Sequence, residues 1–275
     1  MRIVLIIIIS GILTALTAQD QDPARYIKKE AELKTLFDLL YADTPDIDKT
    51  ELANNIVKEF ETVLAEEQSF DYSWSKLDKI GIIASQDSQI KIFTWHLPLS
   101  RDHYSYFGLI QTRPKKDRVR LFLLQDNHQM KQDREEIDQS PENWHGKLYY
   151  SIVDKAYKRN VYYTLLGMDY NNSISTIKTI EVLTIRRNRP VFLKQRFSDG
   201  TDLKDRIVLE YSSQVAISVR YNQQMDQIVF DHLVPFHPVY TGNYEFYGPD
   251  GSHDGFEFVD GIWILREDVD ARNPY

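Results

Sequence analysis

An alternation of apolar and polar residues between residues 206 and 221 is the feature that most constrains the fold. Every second position, with one interruption, carries an apolar or aromatic side chain: Ile207, Leu209, Tyr211, Val215, Ile217, Val219 and Tyr221. The opposite set is polar: Glu210, Ser212, Gln214, Ser218 and Arg220. Because successive side chains of a strand point to opposite faces, this pattern predicts strands with one buried and one solvated face. Such strands are typical of antiparallel sheets, since parallel strands read as continuous apolar runs.

The residues around this stretch predict how its strands are connected. Ser212-Ser213 interrupts the apolar series, which indicates a bulge or a bend. A further strand begins at Ile228, and we expect it to end before Pro235, because proline cannot donate a hydrogen bond to a neighbouring strand. Asp260-Gly261 lies between alternating hydrophobic residues and predicts a two-residue type I′ hairpin turn, in which both residues have positive φ.

The composition narrows the class of protein. The 275 residues carry a formal net charge of −8, which argues against a general nucleic-acid-binding protein, because phosphate binding needs clustered Lys and Arg. The chain contains no cysteine, which excludes disulfides, thiol nucleophiles, Cys-type zinc sites and the cysteine of a bacterial lipoprotein. The length predicts one large domain, or one domain with a small appendage, stabilised by its hydrophobic core.

Residues 1–18 have the layout of a secretory signal peptide. Arg2 supplies a short positive region, an apolar run extends from Ile3 to Leu16, and polar sequence starts at Gln19. The run is shorter than the roughly 20 apolar residues of a membrane-spanning helix, so we expect cleavage near Ala18 in preference to an uncleaved anchor. The sequence after this point contains no run that is long and apolar enough to span a membrane, so no transmembrane segment is expected after cleavage.

Residues 19–69 are predicted to form a helical hairpin. The first helix has apolar residues at the spacing of one helix face: Leu33, Leu36, Phe37, Leu40 and Tyr41. The second helix has an equivalent stripe: Leu52, Ile56, Phe60, Val63 and Leu64. Asp48-Lys49-Thr50-Glu51 resembles a capping box at its start. We expect this hairpin to pack on the sheet or its edge, and a partner-binding helix is the alternative.

From residue 70 onward the period changes to two, which predicts an antiparallel β domain over residues 70–275. The strands before the alternating stretch are predicted at residues 90–95, 104–110, 118–124, 147–153, 161–166, 179–185 and 191–197. The polar segment 127–143 predicts a long loop and a candidate internal boundary. The predicted fold class is therefore α+β and β-dominated, with an N-terminal helical hairpin followed by a large antiparallel, meander-like curved sheet or sandwich.

Short motifs in the second half of the chain resemble those of a protein family. They are Leu165-Leu166-Gly167, Asp169, Asn171-Asn172, Ile180-Glu181-Val182-Leu183, Arg206-Ile207-Val208, Glu210-Tyr211-Ser212, Ile228-Val229-Phe230-Asp231-His232-Leu233, Pro235, Tyr244-Glu245-Phe246-Tyr247-Gly248-Pro249-Asp250, Asp254-Gly255-Phe256-Glu257-Phe258 and Trp263. Over residues 147–273 the chain thereby resembles a family of uncharacterised exported proteins of the Bacteroidetes. The resemblance implies a Gram-negative periplasm or cell envelope. It implies no activity, so it assigns no catalytic role.

Residues 250–255 contain a pattern that occurs in calcium-binding loops. Asp250, Ser252 and Asp254 place oxygen ligands at positions one, three and five, and a glycine follows at position six. Position twelve, where such a loop supplies a bidentate Glu, is Gly261. We therefore favour two hairpin turns without a metal, and we keep calcium as the one cofactor that the sequence suggests.

Asp231-His232 is the other candidate for chemistry. Neighbouring strand residues point to opposite faces, so these two side chains are not expected to form a catalytic dyad with each other. His232 shares a face with Ile228 and Phe230 and is expected to be half-buried. The motifs of serine hydrolases, zinc proteases and phosphate-binding loops are absent from the sequence, although triads are defined by geometry and not by spacing.

Two classes of function follow from these observations. The first is a non-enzymatic exported envelope protein that binds a glycan, a lipid or a protein partner on its sheet. The 17 Tyr, 13 Phe and 4 Trp residues suit stacking on sugars, although aromatic residues are also common in strand pairs. The second is a periplasmic hydrolase with Asp, Glu and His in a cleft. A calcium-stabilised binding module that uses residues 250–255 is a further alternative.

Overall fold

The structure is a computed structural model that describes residues 23–43, 48–100, 103–114, 118–127, 134–135 and 138–271. The predicted signal peptide, residues 1–18, lies outside the described residues. Two helices begin the described chain, α1 (Pro23–Tyr41) and α2 (Lys49–Leu64). Asp48 caps α2, because its Oδ1 accepts hydrogen bonds from the N–H groups of Thr50 and Glu51 at 2.9 and 3.0 Å. Neither helix combines the length and the apolar character needed to cross a membrane.

The remaining described residues are mainly β-structure. The strands are β1 (Gly81–Ala84), β2 (Ile90–Ser100), β3 (His103–Thr112), β4 (Arg120–Leu124), β5 (Leu148–Tyr157), β6 (Asn160–Asp169), β7 (Ser175–Arg186), β8 (Arg189–Phe192), β9 (Phe197–Ser198), β10 (Leu203–Lys204), β11 (Ile207–Ser212), β12 (Val219–Asn222), β13 (Gln227–Pro235), β14 (Tyr247–Val259) and β15 (Ile262–Arg266). Strands β1 to β4 form a first sheet in sequence order. The second sheet has the order β11-β7-β6-β5, with β8 paired to β7, and the third has the order β10-β9-β15-β14-β13-β12. The described pairs are antiparallel apart from β15 with β9.

The helices and the three sheets are joined by three hydrophobic cores. The helices pack on the first sheet through Leu33, Phe37, Leu40, Ile56, Phe60, Val63, Trp74, Phe93 and Trp95. The first sheet packs on the second through Ile83, Ile90, Ile92, Tyr106, Ile110, Trp144, Tyr149, Tyr163, Leu165 and Leu183. The second sheet packs on the third through Leu166, Ile180, Val182, Tyr211, Ile217, Val219, Ile228, Phe230, Phe256 and Trp263. The predicted α+β, β-dominated fold class is confirmed.

The alternating stretch lies where the chain passes from the second sheet to the third. Strand β11 pairs with β7, whereas β12 pairs with β13. All seven apolar residues of the predicted face belong to the core between these two sheets or pack against it, so the predicted buried face is confirmed. The interruption predicted at Ser212-Ser213 is the point where β11 ends and the chain leaves the second sheet.

The two turn predictions near the end of the chain have different outcomes. Asp260 and Gly261 have φ angles of 52° and 89°, and β14 and β15 pair on either side of them, which confirms the hairpin. Strand β13 reaches Pro235 and does not end before it. Beyond Phe230, β13 no longer pairs with β12, so Pro235 lies at the end of an edge segment, where the missing N–H is tolerated.

The polar segment 127–143 is fastened to the end of β4 where it is described. The Gln125 N–H donates to the Pro141 carbonyl at 2.8 Å, and the Trp144 N–H donates to the Gln125 carbonyl at 2.9 Å. The core between the first and second sheets includes residues from both sides of the segment, such as Tyr106 and Tyr149. The division of the chain at residue 70, and within segment 127–143, stays a prediction.

Candidate functional site

An exposed aromatic segment lies at one end of the third sheet, where the chain passes from β13 to β14. Beyond the pair Pro235–Tyr247 the chain forms two short 3-10 turns, Pro238–Tyr240 and Tyr244–Phe246. We call residues 236–247 the aromatic tip. Proline and glycine interrupt its sequence, so residues 236–246 do not continue either strand, and their aromatic side chains lie outside the paired strands.

The backbone of the aromatic tip is held by its own hydrogen bonds. The Phe236 N–H donates to the Phe246 carbonyl at 2.9 Å, and the Asn243 N–H donates to the Tyr240 carbonyl at 2.8 Å. The Gly242 N–H donates to the Tyr247 hydroxyl at 3.0 Å. The second 3-10 turn also contacts β7 and β11 of the second sheet. A partner would therefore meet a pre-ordered surface, and little conformational entropy would be lost on binding.

Four large apolar side chains of the aromatic tip are exposed to solvent. The exposed fractions are 52% for Phe236, 74% for Val239, 37% for Tyr240 and 55% for Tyr244. Single exposed apolar residues are ordinary on protein surfaces, but a contiguous group of them marks an interaction site. The exposed group lies within nine consecutive residues of one ordered segment, and it is therefore our candidate binding surface.

The rings of the aromatic tip support one another. Tyr240 stacks on Phe246 with the ring centroids 4.4 Å apart and an interplanar angle of 19°. Tyr244 packs at a tilt against Tyr247, with the centroids 4.9 Å apart. In each pair the inner ring is the less exposed one, and the outer tyrosine presents its remaining surface to solvent. Such pairs add stabilisation beyond the burial of area, which fixes the orientation of the outer rings.

A bulge in β14 lies at the base of the aromatic tip. Asp231 is opposite His253 and Leu233 is opposite Pro249, so His232 faces the three residues 250–252. Gly251 has a φ of +93°, a conformation that glycine adopts without strain. The Asp250 carboxylate accepts hydrogen bonds from the N–H and the hydroxyl of Ser252 at 2.9 and 2.7 Å. The bulge redirects the two strands and thereby positions the tip.

Two Asp–His pairs join β13 to β14 beside this bulge. His232 Nδ1 lies 2.7 Å from Asp254 Oδ2, and His253 Nε2 lies 3.3 Å from Asp231 Oδ1. Asp231 and His232 thus each pair with the opposite strand and not with each other. The hydrogen bond to Asp254 raises the pKa of His232 above its ordinary value, although partial burial opposes this shift. Both pairs cross-link the strands that carry the aromatic tip.

The prediction of two hairpin turns at the candidate calcium loop is wrong. The residues of this loop lie within β14. Asp250 and Ser252 belong to the bulge, while the Asp254 carboxylate binds His232 and accepts a hydrogen bond from the Asp268 N–H at 3.2 Å. The hydrogen bonds from Ser252 lower the pKa of Asp250. Within the described part of the chain, no three His, Asp or Glu side chains are grouped as metal ligands. Calcium binding by Asp250, Ser252 and Asp254 stays the less favoured alternative, and it needs a direct test.

The Asp–His pairs do not form the arrangement expected of a hydrolase. His253 and Asp254 are consecutive residues in a regular part of β14, so the two pairs lie on opposite faces of the third sheet. Ser252 donates its hydroxyl hydrogen to Asp250 and not to His232. A hydrolase with a serine nucleophile needs that hydroxyl and a base within hydrogen-bond reach of each other. The described geometry of these side chains is that of strand cross-links.

A second group of charged residues is buried between the first and second sheets. Glu181, in the middle of β7, accepts hydrogen bonds at 3.0 Å from both Lys147 Nζ and Gln139 Nε2, and it also accepts one from the Tyr149 hydroxyl. Arg206 Nε lies 3.9 Å from the same carboxylate. These side chains are almost completely inaccessible to solvent. The group connects four segments of the chain within the core.

The charges in this buried group stabilise one another. Burial lowers the pKa of Lys147, and the Glu181 carboxylate opposes that shift. Burial alone would raise the pKa of Glu181, but Lys147 and Arg206 together hold it below its ordinary value. Glu181 therefore stays ionised between two cations. Glu181 is 2% exposed, so in the described residues the group cross-links the core.

Sequence reasoning did not identify either the aromatic tip as a site or the buried charges. The tip has a recognisable signal, because its aromatic residues are interrupted by Pro238 and Gly242, which are turn residues and not strand residues. Glu181 also has a recognisable signal, since it is the single charged residue in the otherwise apolar run 180–183. The inverted order of Asp231-His232 and His253-Asp254 is the signal for the cross-strand pairs.

Comparison with protein-family models, with curated proteins and with solved structures finds no match for this chain.

Proposed function

We propose that this protein is a non-enzymatic, exported binding protein of a Gram-negative cell envelope, and that it engages its partner through the aromatic tip. The observation that carries the proposal is the group of exposed side chains Phe236, Val239, Tyr240 and Tyr244 on a pre-ordered segment. Interaction surfaces are enriched in tyrosine and phenylalanine and poor in Lys at their centres. Burial of these side chains against a partner would supply the driving force for binding.

Binding is supported over hydrolysis by the arrangement of the polar groups. The His and Asp side chains at the base of the tip are engaged in cross-strand pairs on opposite faces of the sheet. Phe236, Tyr240 and Tyr244, in contrast, are all exposed within one segment. The periplasmic hydrolase and the calcium-stabilised binding module remain the alternative functions. The hydrolase would use the Asp–His pairs for chemistry, and the calcium module would use Asp250 as a metal ligand.

The binding proposal is tested by sedimentation of the mature protein with envelope material isolated from the native cell. Changing Phe236, Val239 and Tyr244 together to Ser should reduce co-sedimentation at least about tenfold, since central interface residues each contribute more than about 1 kcal/mol. The matched control changes Ile174 and Leu203 to Ser, because these side chains are 50% and 48% exposed but lie outside the tip. Equal loss in both variants, or no loss in the tip variant, would refute the proposal.

Export is tested separately by mass spectrometry of the protein from its native envelope. The proposal expects a mature N-terminus near Gln19, because cleavage after the small residues 15–18 removes the apolar run. Mature protein that retains Met1 would contradict cleavage.

A further inference from the structure

We infer that the partner of the aromatic tip is an uncharged, hydroxyl-rich glycan, an inference that rests on the function proposed above. It names the chemical class of the partner, and four features of the described surface carry it: the ring faces, the polar residues beside them in the sequence, the local charge and the rigidity of the tip.

The ring faces are suited to sugars. A pyranose ring presents a face of C–H groups, and such a face packs on the surface of an aromatic ring, whose π-system is electron-rich. The outer rings of the tip, Tyr240 and Tyr244, are backed by Phe246 and Tyr247 at centroid distances of 4.4 and 4.9 Å. Each outer ring therefore keeps its orientation while its free surface faces solvent.

Polar residues flank one of these rings in the sequence. Asn243 and Glu245 flank Tyr244 in the sequence, and both side chains belong to exposed or partly exposed residues. Carboxylate and amide oxygens accept hydrogen bonds from sugar hydroxyls, and the amide nitrogen donates to them. Specific ligand sites combine apolar surface with a few such polar groups, which set the orientation of the ligand.

The local charge selects against anionic partners. The tip and the bulge at its base, residues 236–252, contain two carboxylates, Glu245 and Asp250, and no Lys or Arg, so their formal charge is 0 − 2 = −2. Phosphate-bearing lipid surfaces, nucleic acids and acidic polysaccharides are recognised by clustered cations, which this region lacks. An uncharged partner is not repelled by these carboxylates, which can accept hydrogen bonds from the hydroxyls of the partner or from water.

The tip is also rigid enough to bind a partner that offers little apolar surface. Each sugar ring contributes little apolar area, so a glycan site cannot offset a large loss of conformational entropy on binding. The hydrogen bonds of Gly242 to Tyr247 and of Phe236 to Phe246 fix the tip before binding. A mobile loop of the same composition would not meet this requirement.

The test removes one chemical class at a time from isolated native envelope and measures co-sedimentation of the full mature chain. Periodate cleaves the vicinal diols of sugars, protease removes proteins, and chloroform–methanol extraction removes lipids. We expect periodate to reduce binding at least tenfold and the other two treatments to leave it within twofold. Binding should also be unchanged between about 0.05 and about 0.5 M NaCl, because an uncharged partner is not subject to screening.

Conservative variants separate ring stacking from general apolar contact. Tyr244→Leu keeps an apolar side chain but removes the ring, and we expect about a tenfold loss of binding. Tyr244→Phe keeps the ring and should bind within a few-fold of the original protein. Leu203→Phe, on another exposed surface, is the control for a changed surface side chain.

The outcomes distinguish this inference from the proposed function. If protease or lipid extraction abolishes binding that depends on the tip, and periodate does not, the glycan inference is overturned while the binding function stands. Full binding by Tyr244→Leu also overturns it. If co-sedimentation does not depend on the tip at all, the proposed function fails first, and the glycan inference fails with it.

Discussion

Removal of the buried carboxylate of Glu181 should destabilise the fold more than any loss of a surface charge. In Glu181→Leu, the Lys147 ammonium, the Gln139 amide and the Tyr149 hydroxyl lose their common acceptor, and Arg206 loses its nearest described carboxylate. All four groups stay inside the core, where an unpaired charge cannot be hydrated.

The expected cost follows from measured cases of this kind. Removing one partner of a buried ion pair costs about 3 to 5 kcal/mol, out of a total stability of about 5 to 15 kcal/mol for an ordinary domain. At roughly 2 to 4 °C per kcal/mol for a chain of this size, the melting temperature should fall by about 6 to 20 °C. The free energy of unfolding is measured by guanidinium denaturation followed by circular dichroism.

The matched control is an exposed ion pair of similar geometry. Arg189 Nη2 lies 2.8 Å from Glu142 Oε1, and the two side chains are 59% and 57% exposed. Glu142→Gln should cost less than about 1 kcal/mol, because solvent screens an exposed pair. A second comparison adds Lys147→Met to Glu181→Leu, which removes the buried ammonium that has lost its carboxylate, so the double variant should be more stable than the sum of the single effects predicts.

The reasoning would be refuted if Glu181→Leu and Glu142→Gln had equal effects on stability, or if the effects of Glu181→Leu and Lys147→Met were simply additive. Equal effects would mean that water reaches the buried carboxylate. Additivity would mean that Lys147 and Glu181 do not interact in the folded protein.

Three further predictions concern the third sheet. Gly261→Val should lower the free energy of unfolding by more than about 1 kcal/mol, because the residue has a φ of +89° and an added Cβ lies 2.9 Å from the ring of Tyr157. The control Gly200→Val, with a φ of +97° and open space around it, measures the cost of the backbone conformation alone. Equal melting temperatures for the two variants would contradict a packing effect at Gly261. Millimolar calcium should leave the melting temperature of chelator-treated protein nearly unchanged, because Gly261 stands where a calcium loop has its bidentate Glu. If calcium raises the melting temperature by several degrees, and the double variant Asp250→Ala/Asp254→Ala abolishes the rise, then the loop binds the ion. The raised pKa of His232 means that its pair with Asp254 stabilises the fold fully below about pH 6.5, and that this contribution is lost as the pH rises through the folded-state pKa. His232→Gln should therefore reduce the fall in stability above about pH 6.5, by less than about 1 kcal/mol because the pair is partly exposed. An unchanged pH profile in this variant would show that the pair does not cause the fall.

The regular parts of this fold could be predicted from the sequence because their patterns are local. Alternation over residues 207–221 places all seven apolar side chains on the core, and Asp260-Gly261 defines its turn through the φ angles it requires. The helix stripes pack on the first sheet for the same reason. Each of these predictions depends on neighbours within one or two turns of helix or one strand pair.

The remaining features could not be predicted, because they depend on which strands become neighbours. The alternating stretch does not reveal that β11 and β12 belong to different sheets, since both face the same core. Likewise, Lys147, Glu181 and Arg206 are far apart in the sequence, and only the sheet order brings them together. Asp250-Gly251-Ser252 fits a turn as well as a bulge until the partner strand is known.

Hydrogen–deuterium exchange of the mature protein, with and without native envelope material, tests the binding role of the aromatic tip most directly. Our account predicts that amides within residues 236–247 and in the adjoining ends of β13 and β14 become protected on binding. It also predicts that the helices α1 and α2 exchange at the same rate in both samples. Protection of the helices with no change in residues 236–247 would contradict the account, because the partner would then bind elsewhere on the protein.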